Sequence, residues 1–582
     1  MTPALRVRVC RSGGSTGVHR ELQASAGSPL ILSFRAGGPE RPRREESAVR
    51  FSPCGAALYL RVRFLPYLLV VLYLSLAPPA SGTISYTISL AHPDDHLFNV
   101  TMTVPTTTQD LVVAIPAWNA LYQIRDFADR MRDVTAVCAS SDAAPLHLRA
   151  LDKQTWRILS DAPCRGADRS AFVIHYLISW DEPGPFDSEL NAHHAFMNLA
   201  EILMYVPDRR VEDVSLQLTD IPPGWRVGTA LAGPRASDAP SNNAFVASGY
   251  DVLVDAPIEV GSFENLTFEV ARTQIHVIVD DKHGGKGHLE DSLRQITAYE
   301  MQLMHDAPFD APNHDYTFLF HIGALNNVGG GGMEHRNSSA IACVSPEECI
   351  QIAAHEFFHS WNVKRIRPQS LDPVDYSREQ YSRALWFAEG VTSTYAAFTL
   401  ERTGLWSKEA FYQDLATQVS RLQSRPARLW QSAEESSLDA WLEGSPEYNT
   451  PERSISYYNK GQILGELLDL AIRDSTDNRK SLDDVMRRMN DEYAKAGKFY
   501  DDSNGICSVV EEVSGKSFQD FFERYVAGTR EIPYNDFLSA AGLILNNLPS
   551  EPNAPRFSIS EAPHPTDRQR RIRDGFLHGT TD

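Results

Sequence analysis

The feature that most constrains this chain is a change of hydrophobic period part-way along it. From Thr83 to about Arg272 apolar residues come in alternation or in short runs: "FNVTMTV" (98–104) alternates, while "LVVAIPAW" (111–118) and "FVIHYLISW" (172–180) are compact apolar stretches. "HPDD", "DEPGP" and "DIPPGW" separate them as turns. This is strand spacing, and it predicts an antiparallel, sandwich-like β domain. "QIHVIVDD" (274–281) is a further strand, and after a Gly-rich loop "LEDSLRQITAYEMQLMH" (289–305) sets its apolar residues at helical spacing. Beyond residue 400 the pattern is mainly helical, as in "SYYNKGQILGELLDLAIR" (456–473) and "SFQDFFERYVAG" (517–528). A chain with both periods in separate blocks is expected to be an α+β multidomain protein.

Length and composition agree. The 582 residues, 42% hydrophobic and 10% aromatic, are enough to bury several cores, so a disordered chain is excluded and roughly two to four domains are expected. Charge is unevenly spread: residues 1–82 hold eleven Arg against four Glu, leaving 44 basic against 71 acidic residues in the remainder. An acidic body disfavours nucleic acid and anionic membrane surfaces as partners.

The first 82 residues stand apart. "RVRFLPYLLVVLYLSLAPPASG" carries Arg61 and Arg63, an apolar run from Phe64 to Ala77, and small residues up to Gly82. That is the layout of a secretory signal, and the run is short for a membrane span. Residues 1–50 are rich in Arg, Gly, Ser and Pro without apolar period, the composition of a disordered leader or a misplaced start. The expected organisation is therefore leader 1–50, signal 51–82, β domain 83–272, a catalytic domain 273–405, a helical region 406–545 and a tail 546–582. Export, to the periplasm or the outside, with the signal cleaved or kept as an anchor, follows as an expectation. An oxidising compartment would allow Cys138–Cys164 and Cys343–Cys349 bridges with Cys507 free; reduced, buried thiols are the alternative.

"AAHEFFHSWNVKRIRP" (353–368) carries the chemistry. Ser345 and Glu348 form a possible capping box with Pro346 at the first helical position, so a helix starting there bears the motif in its later turns. Spacing of four puts His355 and His359 on one face, where both imidazoles can reach one cation, with Glu356 beside them to address a water. Three fixed positions arise by chance in roughly a few per cent of chains this long, the bland reading being an amphipathic helix with surface or core histidines. A third ligand decides between them. Thirty residues on, "ALWFAEGVTSTYAAFTL" (384–400) is an apolar helix with one acidic residue, Glu389. A carboxylate there is costly unless bound to metal or paired; the alternatives are a solvated helix residue or a salt bridge to Arg365 or Arg367.

"HEFFHSWNVKRIRP", "LWFAEGVTSTY", "GGMEHRNSS" (331–339), "SISYYNKGQILGELLDLAIR" (454–473), "PAWNALYQIRDFA" (116–128) and "LDKQTW" (151–156) together resemble the glycyl aminopeptidase family of gluzincin metallopeptidases, over roughly residues 84–545. The resemblance implies a thermolysin-like α/β catalytic domain between an N-terminal β domain and a helical C-terminal region. It implies one zinc ion per chain on His355, His359 and Glu389, with Glu356 as general base. It places Gly332, Met333 and Glu334 along the substrate, Glu334 taking the free α-amine while Gly331 and Gly332 let the peptide approach. Without it, "NNVGGGGMEHRNSS" is a flexible loop. The Tyr of the Tyr-x-Lys-Gly segment, Tyr458, would face the oxyanion, with Tyr457 as the neighbouring alternative.

The sequence departs from the family at Ala120-Leu121, where a Pro-Gly turn is usual, and at Thr394, where Tyr is common. "APHPTDRQRRIRDGFLHG" (562–579) resembles the family's closing segment, so the PDZ domain of many relatives is expected to be missing. The function expected is a zinc aminopeptidase trimming small N-terminal residues, Gly and Ala, from peptides with a free N-terminus. An endopeptidase of the same fold and a metal-free peptide- or protein-binding protein are the alternatives.

Overall fold

Alternation in "FNVTMTV" becomes burial: strand Leu97–Pro105 buries Phe98, Val100, Met102 and Val104. It pairs antiparallel with Ala171–Ser179, and Phe98 faces Ile178, Val100 faces Tyr176, Met102 faces Ile174 and Val104 faces Phe172. Each such buried side chain contributes about 1.5–3 kcal/mol, so the register that keeps both apolar faces inward is strongly specified. The computed structural model describes residues 82–579 except 106–107, 120–121, 140–143, 163, 165–169, 234–242, 282–287, 308–314, 324–329 and 552–553. The leader and signal expected up to residue 81 lie outside the described residues, as does the Ala120-Leu121 departure.

The β-rich part holds a six-stranded sheet, a four-stranded sheet and a three-stranded sheet. One pairing corrects the expectation of a purely antiparallel domain: Ile84–Ser89 runs parallel to Val214–Thr219. Parallel neighbours need a long connection rather than a hairpin, and here more than a hundred residues separate them in sequence. Strand Glu264–Val270, assigned from sequence to the β domain, instead pairs with Thr273–Asp281 as an edge of the next sheet.

That next sheet runs Glu264–Val270, Thr273–Asp281, Asp315–Ile322, Ser338–Cys343, Gly331–Glu334, parallel in the middle and antiparallel at both edges. The Gly-rich stretch is thus not wholly a loop, because Gly331–Glu334 forms an edge strand. Helix Leu289–Met304 buries Leu289, Leu293, Ile296 and Met301, as its spacing predicts. Helix Pro346–Phe358 leads out of strand Ser338–Cys343, and a Cys343–Cys349 disulfide joins the strand end to the helix. Cys138–Cys164 is the second bridge and Cys507 is a buried free thiol. The helical region includes Lys408–Gln423 and Tyr457–Thr476. The segment read as a tail adds a strand, Arg556–Glu561, and a helix, Asp567–His578, whose Ile572 and Phe576 join the main core. Among the described residues no helix is long and apolar enough to cross a membrane.

Candidate metal centre and active site

Ser345 caps the motif helix, accepting the Glu348 N–H at 3.3 Å. The reciprocal half of the expected box is absent: the Glu348 carboxylate takes the Val344 N–H at 2.8 Å instead. The helix ends at Phe358, with His359 as its C-cap, so the two histidines stand one turn apart at its last turn. Their Nε2 atoms are 3.0 Å apart. Glu389 Oε2 lies 3.1 Å from His359 Nε2 and 3.5 Å from His355 Nε2. Arg365 and Arg367, the alternative partners of Glu389, hydrogen-bond elsewhere, Arg365 to Ser360 and Arg367 to Leu371.

These three donors fit zinc. With zinc–nitrogen bonds of about 2.0–2.1 Å, tetrahedral donors stand roughly 3.3 Å apart, and the observed spacings bracket that. The lone pairs also point the right way. His359 Nδ1–H donates to Asn362 O at 2.5 Å, which commits Nε2 to accept. Ser393 Oγ donates to Glu389 O and lies 3.3 Å from His355 Nδ1, which orients the second imidazole likewise. Burial lowers His355, favouring the neutral form that ligation requires. For His359 burial works in the same direction, yet the Glu389 carboxylate more than reverses it and lifts the group to about 10. The site therefore demands positive charge where the three donors meet.

Glu389 reaches this point because its turn is wide. Trp386–Val391 is a π-helical turn leading into helix Thr392–Arg402, the kind of insertion that re-aims a side chain at a functional site. Asn362 pins it, donating through Nδ2 to Phe387 O at 2.9 Å and to Thr392 Oγ1 at 3.1 Å. On the other side the turn meets helix Tyr457–Thr476 glycine to glycine. A Cβ on Gly390 would lie 2.4 Å from Gly461 Cα, and one on Gly461 would lie 2.2 Å from Trp386 O. Thr394 bonds Gln462 O at 3.0 Å in the same contact, which is where the Thr-for-Tyr departure takes effect. This contact brings Tyr458 beside the motif, its ring 6.2 Å from that of His355. Both tyrosines line the cleft, Tyr458 38% exposed and Tyr457 buried.

Glu356 is buried behind the edge strand. Burial pushes its carboxyl well above the ordinary value; Glu334 and Glu389 add to this and His359 opposes it. Donor atoms of Glu334, Glu356 and His359 lie within 4.8 Å of one another. Gly332 makes room for the base: a Cβ there would stand 2.4 Å from Glu356 Oε1 and 2.5 Å from its Cδ and Cγ. On the strand's other face Gly331 makes room for Phe186, which a Cβ would meet at 2.8 Å. Gly332→Ala should therefore swing Glu356 aside without unfolding the edge strand. A displacement near 1 Å costs about a hundredfold, so kcat should fall by about that factor at unchanged metal content; an unchanged kcat would show that Glu356 has no need of this position.

One cleft of about 790 Å³ gathers His355, Glu356, His359, Glu389, Glu334, Gly332 and Tyr458. Met333 is not among its lining; its side chain is buried and lines a neighbouring cavity of about 390 Å³. Tyr122 and Phe186 of the β-rich part also enter the cleft. Tyr122 is placed there by packing against Trp118 and Trp441. Sequence reasoning assigned neither of these rings. Tyr122 falls inside "PAWNALYQIRDFA", but nothing in its local pattern separates a cleft aromatic from a core one.

Residues 348–464 match the M61 glycyl aminopeptidase family, and residues 85–262 match the peptidase M61 N-terminal domain. The chain belongs to the M61 glycyl aminopeptidase family. Among solved structures it is similar to an aminopeptidase N family protein from Idiomarina loihiensis, with a TM-score of 0.73 and 26% identity over 80% of this chain and 79% of that one. A weaker likeness links it to an M1 zinc metallopeptidase from Deinococcus radiodurans, with a TM-score of 0.48 and 14% identity over 78% of this chain and 95% of that one. The sequence matches no curated protein. This M61 protein is thus a metallopeptidase of the aminopeptidase type, with the α+β organisation its two sequence periods predict.

Proposed function

We propose that this M61 protein is an exported zinc aminopeptidase that removes small N-terminal residues, Gly and Ala, from peptides. The observation that carries the reading is the convergence of His355, His359 and Glu389 beside two further carboxylates, Glu356 and Glu334, in one cleft. His355, His359 and Glu389 would hold one zinc ion, which would supply Lewis-acid chemistry to the water and the peptide carbonyl. Glu356 takes the proton of the attacking water and returns it to the leaving amine. A carboxyl already raised by burial suits both halves of that task. Tyr458, whose phenol burial and the nearby Glu389 push well above its ordinary value, stays protonated and donates to the developing oxyanion.

Glu334 binds the free α-amine. Among the described residues its strand is a sheet edge with one side unpaired, so a peptide can lie along the Gly332–Met333 backbone as an added strand. The rings of Tyr122 and Phe186 bound the space left in the cleft, which supports a preference for small first residues. Export is supported by the basic, apolar and small-residue succession over 61–82 and by two disulfides, which belong to oxidising compartments. Such a protein is periplasmic or extracellular.

Glu334→Ala tests the reading. Removing one partner of a buried charge pair costs about 2–5 kcal/mol, a factor of roughly thirty or more. kcat/KM on glycyl and alanyl anilides should fall by at least that much, mainly through KM, and cleavage of N-acylated peptides should not change. An unchanged rate on short free-amine peptides would rule out the aminopeptidase assignment for this site and favour an endopeptidase, which has no use for an amine-binding carboxylate.

A further inference from the structure

A second set of buried donors lies where the four-stranded sheet of the β-rich part meets the catalytic sheet. His194 stands on strand His194–Met197 and Glu259 on its antiparallel neighbour Ile258–Gly261. His321 comes from strand Asp315–Ile322 of the catalytic sheet. All three are buried, at 3%, 1% and 4% exposure, and one donor atom from each lies within 4.8 Å of the other two. His194 Nδ1 is 2.9 Å from Glu259 Oε1, and His321 Nε2 is 3.0 Å from Glu259 Oε2.

The geometry points to a second divalent cation, of the zinc class, bound by His194, Glu259 and His321 and joining the two sheets. Four observations carry this. The donor set, two imidazoles and one carboxylate, is that of the catalytic centre, and imidazoles select zinc-class metals over calcium or magnesium. Glu189 stands beside the histidine, its Oε2 3.2 Å from His194 Nε2, and Asn191 holds that carboxylate by donating to Oε1 at 2.7 Å. The register leaves room for the imidazole, since Gly261 lies opposite His194 and a Cβ there would stand 2.9 Å from His194 Cβ and 3.3 Å from Glu259 Oε1.

Charge is the fourth. Glu189 and Glu259 are buried, and Asp280 lies 3.9 Å from His194 Nδ1, so three carboxylates surround two imidazoles. A bound cation would neutralise the two buried carboxylates and the partly exposed Asp280 together. Phe196, Phe263, Ile278, Leu319 and Ala340 make the surroundings apolar. Buried between the two sheets and apart from the cleft, the site is structural in role. It clamps the β-rich part onto the sheet whose edge carries Glu334.

Zinc-edge anomalous diffraction from crystals of the full-length protein grown with zinc should show two peaks, one at His355, His359 and Glu389 and one at His194, Glu259 and His321. Metal analysis in solution should give two equivalents for the wild type, one for His321→Ala, one for Glu389→Ala and none for the double variant. A single peak at the catalytic cluster, with one equivalent in the wild type, overturns the second site and leaves the proton-bridged clamp; it leaves the catalytic assignment intact. A single peak at the second cluster overturns the catalytic assignment instead. The diffraction measurement uses the unmodified chain, so it decides the matter even if the His321 variant fails to fold.

Discussion

Glu356→Gln should leave the metal content of the protein unchanged and lower kcat on alanyl anilide by about a thousandfold, within the 10²–10⁴ that a positioned proton-transfer group contributes. The amide has nearly the shape of the carboxylate, so the packing of Glu356 against Gly332 survives the change. What it cannot do is accept a proton from water or pass one to the leaving amine. Its distance from the three metal donors is unaltered, and it is not one of the His355, His359 and Glu389 set, so metal should remain. Stopped-assay kinetics and metal analysis on the same preparations check both halves. Equal activity in the two proteins would refute the base assignment. Loss of metal together with activity would show that Glu356 is instead needed to assemble the centre.

Gly461→Ala should be nearly as damaging, although residue 461 touches no substrate. Its new Cβ would meet Trp386 O at 2.2 Å, Gly390 Cα at 2.9 Å and Trp386 C at 3.0 Å, all main-chain atoms. The π-helical turn cannot retreat, because Trp386 donates its N–H to Ser437 Oγ at 3.0 Å and its Nε1–H to Ser503 Oγ at 3.1 Å. Helix Tyr457–Thr476 must therefore back away, taking Tyr458 from the cleft and loosening the turn that carries Glu389. Overpacking of this kind costs about 1–3 kcal/mol, and misplacement near 1 Å costs about a hundredfold in rate. Urea denaturation and kcat/KM on alanyl anilide should both register the change. Gly465→Ala is the comparison: there the nearest atom is the Thr394 hydroxyl, at 2.3 Å, a side-chain group that can turn away. Equal losses in the two variants would remove the argument from main-chain contact.

These two variants separate what a linear reading reaches from what it does not. The reactive groups were legible because their relations are local or chemically costly. His355, Glu356 and His359 follow from helical spacing, and Glu389 from the penalty of an acidic residue in an apolar helix. Gly461 was visible only as a letter in "YYNKG", and Gly390 as one in "FAEG"; nothing local says that the two touch. Asn362 was likewise unmarked inside "HEFFHSWNVKRIRP", although it orients His359 and pins the turn bearing Glu389. Glycine weakens strand propensity, so the local pattern of Gly331–Glu334 by itself predicts a loop. The edge strand forms because Ser338–Cys343 pairs with it and because the two missing side chains admit Glu356 on one face and Phe186 on the other.

Period, spacing and residue chemistry thus fix the α+β class, the motif helix, the second apolar helix and the donors each carries. These depend on 3.6-residue and two-residue repeats and on the cost of burying charge, all of which act within a few residues. Tertiary packing decides that Glu389 arrives 3.1 Å from His359, that Tyr458 is partly exposed while Tyr457 is buried, that Tyr122 and Phe186 line the cleft, and that His194, Glu259 and His321 meet at all. Those distances join residues from 30 to more than 300 positions apart. They are set by how closely helices and sheets can approach, and hence by glycines and bulky rings whose contacts have no period to betray them.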